Sequence, residues 1–401
     1  MLSVILSKMF QLMLLCSFVP YGFKSSYIVP IPKPKECYSK ALNCDDFRGI
    51  AISQIVSKVF EHCIINRFES FLTSSDSQFG FKKGRGCSLA IRTARLAVDN
   101  MIKGGNTANL CAIDISKAFD RVNHHGLFKK LMNRLIPNEL LALLEFWLSG
   151  CYTCVKWANV WSCTFSLEFG VRQGSVLSPF LFAIYVDDLA KSCSSIIGSF
   201  IVLYADDILL IAPTLCQLQK LLTICEGVLG QLDMAINSRK SCCLRIGQRH
   251  NVSCAPLHTS SGELISWVAE LRYLGVTIVC SRFFKCSLSH AKKLFYRSAN
   301  AIFGEIGRIA SEEVVLHLII SKCIPIILYG LEACPLTKSD LQSIDFVINR
   351  FFMKLFKTSD MDIVKYCQQC FYFDMPSDLW KKRVRTFEGK FREFCQCIYL
   401  S

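Results

Sequence analysis

The strongest constraint on the fold comes from residues 199–213, which read SFIVLYADDILLIAP. Two short runs of branched and aromatic side chains, residues 200–204 and 208–211, flank an Ala-Asp-Asp sequence, and this pattern predicts a β-hairpin with adjacent carboxylates at its tip. Neighbouring carboxylates repel each other, and each costs desolvation free energy unless a cation lies between them. The doublet therefore indicates a metal site, although a polar turn with two solvated aspartates explains it equally well when the hairpin is considered alone.

A further carboxylate lies upstream, in residues 109–122 (NLCAIDISKAFDRV). An apolar strand-like run ends at Asp114 and a helix-like start follows, so we expect Asp114 at the C-terminal end of a strand, where open α/β sheets carry their ligands. Two metal ions about 3.5 to 4 Å apart that clamp an in-line phosphoryl displacement need such a carboxylate from a neighbouring strand. Between the two acidic segments lie residues 170–180 (GVRQGSVLSPF), a glycine-containing loop that runs into an apolar helix.

Three sets of residues, in this order along the chain, resemble the A, B and C motifs of reverse transcriptases. They are Asp114 with Phe119, the Gln-Gly-Ser sequence at 173–175 with Ser-Pro at 178–179, and Tyr-Ala-Asp-Asp at 204–207. Each motif alone is short, but together and in this order they are specific. The non-LTR (LINE-type) retrotransposon branch of the family is the most similar.

This resemblance implies an α+β fold, the right-hand polymerase. Residues 1–107 would form the fingers with an N-terminal helix. Residues 108–280 would form a palm of antiparallel sheet and helices, interrupted by an inserted fingers segment. Residues 281–401 would form a helical thumb and a C-terminal helical extension.

The resemblance also assigns roles to the motif residues. Asp114, Asp206 and Asp207 would be catalytic residues that ligate two Mg²⁺ ions, as in two-metal nucleotidyl transfer. Gln173 and Gly174 would position the incoming deoxynucleoside triphosphate and the RNA template on which a DNA primer is extended.

Two more residues have a family role with a plain alternative beside it. Phe119 resembles the steric gate that excludes a 2′-hydroxyl from the incoming sugar, and the alternative is an aromatic side chain that fills the core. Lys240 ends residues 235–240, which resemble motif D, where a lysine protonates the leaving pyrophosphate as a general acid. The alternative is a surface lysine. Residues 271–275 (LRYLG) resemble the primer-grip hairpin.

Residues 78–90 (QFGFKKGRGCSLA) form a basic, glycine-bearing segment. Backbone N–H groups and cationic side chains in such a loop approach phosphate closely, and the family places its fingers loop here. We therefore expect Lys82 and Arg85 to contact template or triphosphate, the alternative being a solvated turn with a run of charge. Arg48 matches the arginine of the family's early fingers motif, although Gly49 stands where a proline is usual.

Other acidic and cysteine groups are not expected to form sites. Asp187 and Asp188 follow apolar residues at helical spacing, which puts them late in a helix. Asp120 would be turned away from the strand end by the helix predicted after Asp114, as a structural or solvated carboxylate. Zinc binding by the C-terminal cysteines is not favoured, because the second spacing is short and no ordered histidine set follows; these cysteines are Cys367, Cys370, Cys395 and Cys397.

Charge and cysteine content bound the partners and the compartment. The formal net charge is +14, from 46 Lys and Arg against 32 Asp and Glu, which indicates a polyanionic partner. The 23 cysteines are scattered through apolar segments without regular spacing. That usage is typical of reduced thiols in an intracellular protein, nuclear or cytoplasmic. Nothing in the sequence indicates an oligomeric state.

The first 19 residues are apolar enough to suggest a signal peptide or a membrane anchor. Lys8 interrupts the run, no convincing cleavage pattern follows, and the apolar residues fall near helical spacing. In LINE-type enzymes an apolar helix, a proline and a lysine-bearing segment lead into a fingers strand, and Pro20, Lys24 and residues 28–33 follow that order. We interpret the segment as a fingers helix and expect no membrane association. On this interpretation Met1 is not the ancestral start, and the chain is a fragment of a longer polyprotein.

Three functions compete on this sequence. The first is an RNA-directed DNA polymerase, favoured by the intact carboxylates. The second is a decayed or repurposed retrotransposon copy that binds nucleic acid without polymerising. The third is a membrane or secreted protein led by residues 1–19, which leaves the carboxylates unexplained.

Overall fold

The computed structural model describes residues 1–33, 43–307 and 309–399, with side chains up to residue 396. Helices alternate with three sheets whose strand pairs are mostly antiparallel. This is the α+β class that the sequence predicts.

The N-terminal part begins with the helix predicted from the apolar run. Phe10 and Met13 are buried on one side of this helix, and the Phe10 ring lies 4.8 Å from that of Phe60. The elements of this part are α1 (Leu2–Leu15), α2 (Tyr21–Lys24), β1 (Ser25–Pro32), β2 (Phe47–Ser53), α3 (Ile55–Arg67) and α4 (Cys87–Lys103). Across the stretches that the structure describes, no helix has both the length and the apolarity needed to cross a membrane.

The central part of the chain carries most of the strands. Its first elements are β3 (Ala108–Asp114), α5 (His124–Asn133), α6 (Asn138–Leu148), β4 (Tyr152–Trp157), β5 (Val160–Trp161), β6 (Phe165–Ser166), α7 (Ser178–Tyr185) and α8 (Asp188–Cys193). They are followed by β7 (Phe200–Tyr204), β8 (Asp207–Ala212), α9 (Leu215–Gln231), β9 (Cys242–Ile246), β10 (Leu257–His258), β11 (Leu264–Trp267), β12 (Glu270–Tyr273) and β13 (Val276–Val279).

A six-stranded sheet in the order β10-β11-β9-β3-β8-β7 forms the centre of this part. Both of its faces are covered. Ile208 and Leu210 pack in one apolar cluster with α7 and α9, whereas Leu209 and Ile211 pack in a second cluster with α4. Successive side chains of a strand point to opposite faces, so burial on both faces explains why β8 reads as a continuous apolar run.

A second sheet joins distant parts of the chain. Its strand order is β2-β1-β4-β5, with β6 also paired to β4. Strand β1 runs antiparallel to β2 and parallel to β4, so an N-terminal strand is hydrogen-bonded to a segment from the middle of the sequence.

Two local predictions need correction. The chain does not enter an α-helix directly after Asp114, because Lys117 has a left-handed backbone (φ 50°) and only a 3₁₀ turn, Ala118–Arg121, follows before α5. Asp187 and Asp188 do not lie within one helix either, since the chain breaks between α7 and α8 at that point. Asp187 is buried there, with Arg134 2.7 Å away and the Ser75 N–H donating to its other oxygen.

The C-terminal part is almost entirely helical. Its elements are β14 (Cys286–Ser287), α10 (Ser289–Ile306), α11 (Glu312–Leu318), α12 (Ile324–Ile327), α13 (Lys338–Leu355), α14 (Met361–Cys370) and α15 (Pro376–Tyr399). Strand β14 completes a three-stranded sheet with β12 and β13. Phe295 and Phe352 lie fully buried at the centre of the helical cluster. Helix α15 returns to the N-terminal part, where Phe394 contacts Phe79.

Candidate active site

Three carboxylates meet at one end of the central sheet. Asp114 is the last residue of β3 and stands opposite Asp207, the first residue of the neighbouring strand β8. Asp206 belongs to the two-residue turn between β7 and β8, next to Ala205, whose φ of 56° is left-handed. The predicted hairpin is therefore present, with one carboxylate in its turn and the other at the start of its second strand.

These carboxylates interact electrostatically. Burial raises the pKa of Asp206, and the negative charge of Asp114 raises it further. Burial also raises the pKa of Asp207, to about 6, with contributions from the charges of Asp206 and Asp114. The three side chains therefore share one region of concentrated negative charge, which a cation would stabilise.

Two basic side chains partly compensate this charge. The Nζ of Lys240 lies 3.7 Å from Oδ2 of Asp114, and Arg48 and Lys240 both lower the pKa of Asp206 against the effect of burial. The segment before Lys240 is fixed to the end of β3, because the Asn237 N–H donates to the Asp114 carbonyl at 2.8 Å. Ser241 Oγ accepts from the Asp114 N–H at 3.2 Å. Lys240 therefore lies next to Asp114, and both Lys240 and Arg48 are close enough to act electrostatically on Asp206.

The loop that contains Gln173 and Gly174 is held by strand β2. The Ala51 N–H donates to the Gln173 carbonyl at 2.7 Å. Gly174 has φ +124°, and a Cβ placed there would lie 2.4 Å from the Ala51 carbonyl oxygen, so only glycine fits against this strand. The Gln173 side chain hydrogen-bonds Asp120, whose pKa is raised by burial despite the opposing effects of Lys117 and of this bond. Asp120 is therefore linked to the loop.

Phe119 lies between two other rings. It stacks on Phe182 at 4.6 Å and meets Phe81 edge-on at 6.3 Å. Its backbone carbonyl accepts from the Val171 N–H at 2.9 Å, which ties this position to the loop carrying Gln173. The ring is partly buried, so both the gate and the core-filling role are compatible with its position.

Lys82 and Arg85 lie in a different set of contacts. The Lys82 ammonium donates to the carbonyls of Ser74 and Ser75, both at 2.6 Å. Burial, followed by the positive charge of Arg85, lowers the pKa of Lys82 to about 8. Arg85 pairs with Asp76 at 2.7 Å. Within the described residues, no hydrogen bond or ion pair connects either side chain to the three carboxylates.

Glu61 is a residue of this region that sequence reasoning missed. It is 1% exposed on α3, and one carboxylate oxygen accepts from Ser175 Oγ at 2.6 Å and from the N–H groups of Val176 and Leu177. This carboxylate therefore fixes the loop after Gly174 and the first turn of α7. The available signal was its position one turn from Ser57 and from Ile64, on the buried face of α3.

The donor chemistry of the site fits a hard divalent cation. Carboxylate oxygens are the ligands that Mg²⁺ prefers, and Asp114, Asp206 and Asp207 supply them with only partial compensation from basic side chains. Among the described residues, no three His, Cys, Asp or Glu side chains are already arranged as a metal-binding group. Cys367 and Cys370 lie on α14 and Cys395 on α15, whereas the side chain of Cys397 lies outside the described residues.

Comparison with known proteins gives a consistent result. The family model described as reverse transcriptase (RNA-dependent DNA polymerase) matches residues 31–278. The RNA-directed DNA polymerase from mobile element jockey of Drosophila funebris is 28% identical over 345 residues, which cover 79% of this chain and 35% of that protein. The Pol polyprotein from type-2 retrotransposable element R2DM of Drosophila melanogaster is 26% identical over 303 residues, which cover 71% of this chain and 28% of that protein.

The chain thus spans about a third of the length of the jockey relative and of the related polymerase from Drosophila melanogaster transposon BS. Among solved structures, apo telomerase from Candida tropicalis superposes with a TM-score of 0.50 at 12% identity, covering 93% of this chain and 64% of that one. At this identity the likeness concerns the fold alone, and it confirms the prediction of a right-hand polymerase.

Proposed function

Because the chain belongs to the reverse transcriptase family, on its non-LTR retrotransposon branch, we propose that it is an RNA-directed DNA polymerase. It would extend the 3′-hydroxyl of a DNA primer on an RNA template with deoxynucleoside triphosphates. The observation that carries this proposal is the register of β3 and β8, which places Asp114 opposite Asp207 with Asp206 in the adjoining turn.

Reverse transcriptases generally use divalent metal ions, and here Asp114, Asp206 and Asp207 would hold two Mg²⁺. When bound, the ions lower the pKa of the primer hydroxyl and neutralise charge on the triphosphate during in-line displacement. The mutual repulsion of the carboxylates supports a site that binds cations. The basic side chains of Lys240 and Arg48 beside them support binding of the negatively charged triphosphate.

The remaining residues would bind and orient the substrates. Gln173 and Gly174 would position the nucleotide and template, and Phe119 would exclude a 2′-hydroxyl from the incoming sugar. Lys240 would donate a proton to the leaving pyrophosphate, and Arg48 would contact the triphosphate from strand β2. For Lys82 and Arg85, contact with template or triphosphate remains a prediction, since both already have partners within their own loop.

The division of the chain follows from the same proposal. Residues 1–107 would serve as fingers, 108–280 as palm and 281–401 as thumb with a C-terminal extension. The pairing of β1 with β4 supports an inserted fingers segment within the palm. The cysteines in the described part of the chain are free thiols. This supports a location in the nucleus or cytoplasm, where thiols stay reduced.

The decisive experiment is Mg²⁺-dependent extension of a DNA primer on an RNA template by the purified chain. Asp206→Asn should reduce primer extension about a thousandfold or more, because it removes a negative charge that would hold the metal ions at the reacting groups. Binding of the primer–template should change little. Asp188→Asn is the matched control, because Asp188 is an exposed partner of Lys130 outside the site. Equal extension by wild type and Asp206→Asn, or equal loss of binding and extension, would overturn the proposal.

A further inference from the structure

The turn that carries Asp206 is supported from outside the central sheet. Residues 77–79 lie along the outer edge of β7, the edge that is not paired with β8. There the Leu203 N–H donates to the Ser77 carbonyl and the Phe79 N–H donates to the Leu203 carbonyl, both at 2.8 Å. Gln78, between these two bonds, is fully buried. A short segment preceding α4 therefore acts as a further strand-like neighbour of β7.

The Gln78 side chain reaches the turn itself. Its Oε1 accepts from the Ala205 N–H at 3.1 Å and from the Gly80 N–H at 2.9 Å. A Cβ at Gly80 would lie 2.5 Å from the Ala205 nitrogen, so glycine permits this close approach. One amide oxygen thus satisfies the backbone of the turn and that of its own loop.

This contact acts at the strained position of the hairpin. Ala205 adopts φ 56°, which a residue with a Cβ rarely adopts, and its N–H is held by Gln78. The Ala205 N–H belongs to the peptide between Tyr204 and Ala205, so a change in the orientation of this peptide would be passed through Ala205 to the next side chain, Asp206. The Nε2 of Gln78 is buried without a partner in the described structure, so the oxygen alone connects this side chain to the turn.

We propose that Gln78 is a positioning residue that fixes the direction of the Asp206 carboxylate and thereby the affinity of the site for its divalent cation. The inference rests on the proposed function, since it names what sets the geometry of that same site. Gln78 itself would touch neither metal nor substrate. Its effect passes through the Ala205 peptide.

The loop that carries Gln78 is itself anchored. Lys82 donates to the carbonyls of Ser74 and Ser75, and the Ser75 N–H donates to the buried Asp187. Asp187 in turn pairs with Arg134. These contacts tie residues 74–82 to α5 and to the end of α7, so Gln78 approaches the turn from a fixed support.

The test compares Gln78→Met with Gln219→Met in the full chain. Methionine keeps the length of the side chain and removes the acceptor. Gln219 is a suitable control because it also bonds the backbone twice, to His258 N–H and to the His258 carbonyl, but on α9 away from the site. Hydrogen exchange of a peptide spanning residues 203–207 reports the turn directly, and titration with Mn²⁺ alone, followed by electron paramagnetic resonance, reports the cation site.

Gln78→Met should raise exchange in residues 203–207 and weaken Mn²⁺ binding, each by about tenfold, the loss expected for one buried hydrogen bond. The Mg²⁺ concentration for half-maximal extension should rise in parallel, with primer–template affinity unchanged. Gln219→Met should leave all three quantities at wild-type values. Unchanged exchange and unchanged Mn²⁺ binding in Gln78→Met would overturn the inference.

General loss of structure is recognised by faster exchange in helix α9 as well, whose inner face is buried. In that case Gln78→Glu decides, because a carboxyl oxygen still accepts from the Ala205 N–H. Recovery of protection in residues 203–207 would support the inference, whereas exchange that stays fast in residues 203–207 while α9 is protected as in wild type would refute it. Failure of the proposed function is distinguishable, because a wild-type chain that never extends primers still yields the exchange and Mn²⁺ measurements.

Discussion

Glu61 accepts a hydrogen bond from Ser175 at 2.6 Å across 114 positions of sequence, and it thereby joins α3 to the loop beside the candidate active site. The same oxygen receives two backbone N–H groups, of Val176 and Leu177. A buried carboxylate with these partners fixes the loop directly after Gln173 and Gly174.

Removal of this acceptor should be costly. Glu61→Ala leaves buried donors without partners, and we expect a loss of about 2 to 4 kcal/mol in the free energy of unfolding. Because the loop would also loosen, the KM for deoxynucleoside triphosphate should rise more than kcat falls. Urea unfolding and steady-state extension measure the two effects. Glu69→Ala, at an exposed position, is the control and should change neither.

Lys240 provides a test of proton transfer. If its ammonium, 3.7 Å from Asp114, protonates the leaving group, Lys240→Ala should lower the single-turnover rate of nucleotide addition about a hundredfold. Lys240→Arg should recover little of that rate, because guanidinium does not release its proton readily. Lys220→Ala on α9, which removes an exposed lysine, serves as the comparison. A rate within twofold of wild type for Lys240→Ala would identify Lys240 as an ordinary surface lysine.

The lowered pKa of Lys82 predicts that the stability of the fold depends on pH. Its folded-state pKa of about 8, lowered by burial and then by Arg85, lies below the usual value near 10.4 of an unfolded lysine. The unfolded chain therefore binds more protons between these values, and stability rises with pH in this window as the penalty for burying the charge disappears. Partial exposure of the ammonium reduces the size of the effect.

The free energy of unfolding from pH 7.5 to 10.5 measures this contribution. Wild type should gain stability with pH relative to Lys82→Met, most steeply between about pH 8 and 10.4. Lys83→Met changes an exposed neighbour and should follow the wild-type slope. Parallel curves for wild type and Lys82→Met would contradict the assignment.

Two glycines with positive φ separate backbone strain from steric conflict. Gly84 (φ +78°) has open space around it, so Gly84→Ala should cost only about 1 kcal/mol of strain. Gly174 combines φ +124° with a Cβ position 2.4 Å from the Ala51 carbonyl. Gly174→Ala should therefore cost at least about 3 kcal/mol, because overpacking adds to strain, and should abolish extension. Similar costs for the two variants in urea unfolding would refute this difference.

Local signals accounted for much of the fold and for the core of the site. The hairpin of β7 and β8 and the position of Asp114 at a strand end were predictable because apolar runs interrupted by acidic residues leave few alternatives. The expectation of a helical C-terminal part came from the family resemblance and not from a local signal of this kind. Asp207 differs only in detail, since it opens β8 and does not belong to the turn.

The contacts that support the site were not predictable from local signals. Glu61 and Gln78 hydrogen-bond to backbone groups that are far away in sequence. The sequence around a polar side chain in a helix or loop carries no signal of such a distant partner. The sequence predicted a helix directly after Asp114, but the left-handed backbone of Lys117 prevents it. Such a backbone is usually signalled by a glycine, and here the residue is a lysine. Charge alone also did not distinguish Lys82, whose ammonium is satisfied by carbonyls, from a solvent-exposed lysine such as Lys83.

The parallel pairing of β1 with β4 has a consequence for synthesis of the chain. Ser26 and Thr153, hydrogen-bonded through their hydroxyls at 3.3 Å, are separated by 127 positions. On a ribosome that adds about 5 to 20 residues per second, β1 waits several seconds or more before its partner emerges. The edge of β1 that later receives β4 stays unpaired during that interval, open to chaperones and to other nascent chains. Slower translation through residues 33–152 would prolong this exposure and lower the yield of folded protein.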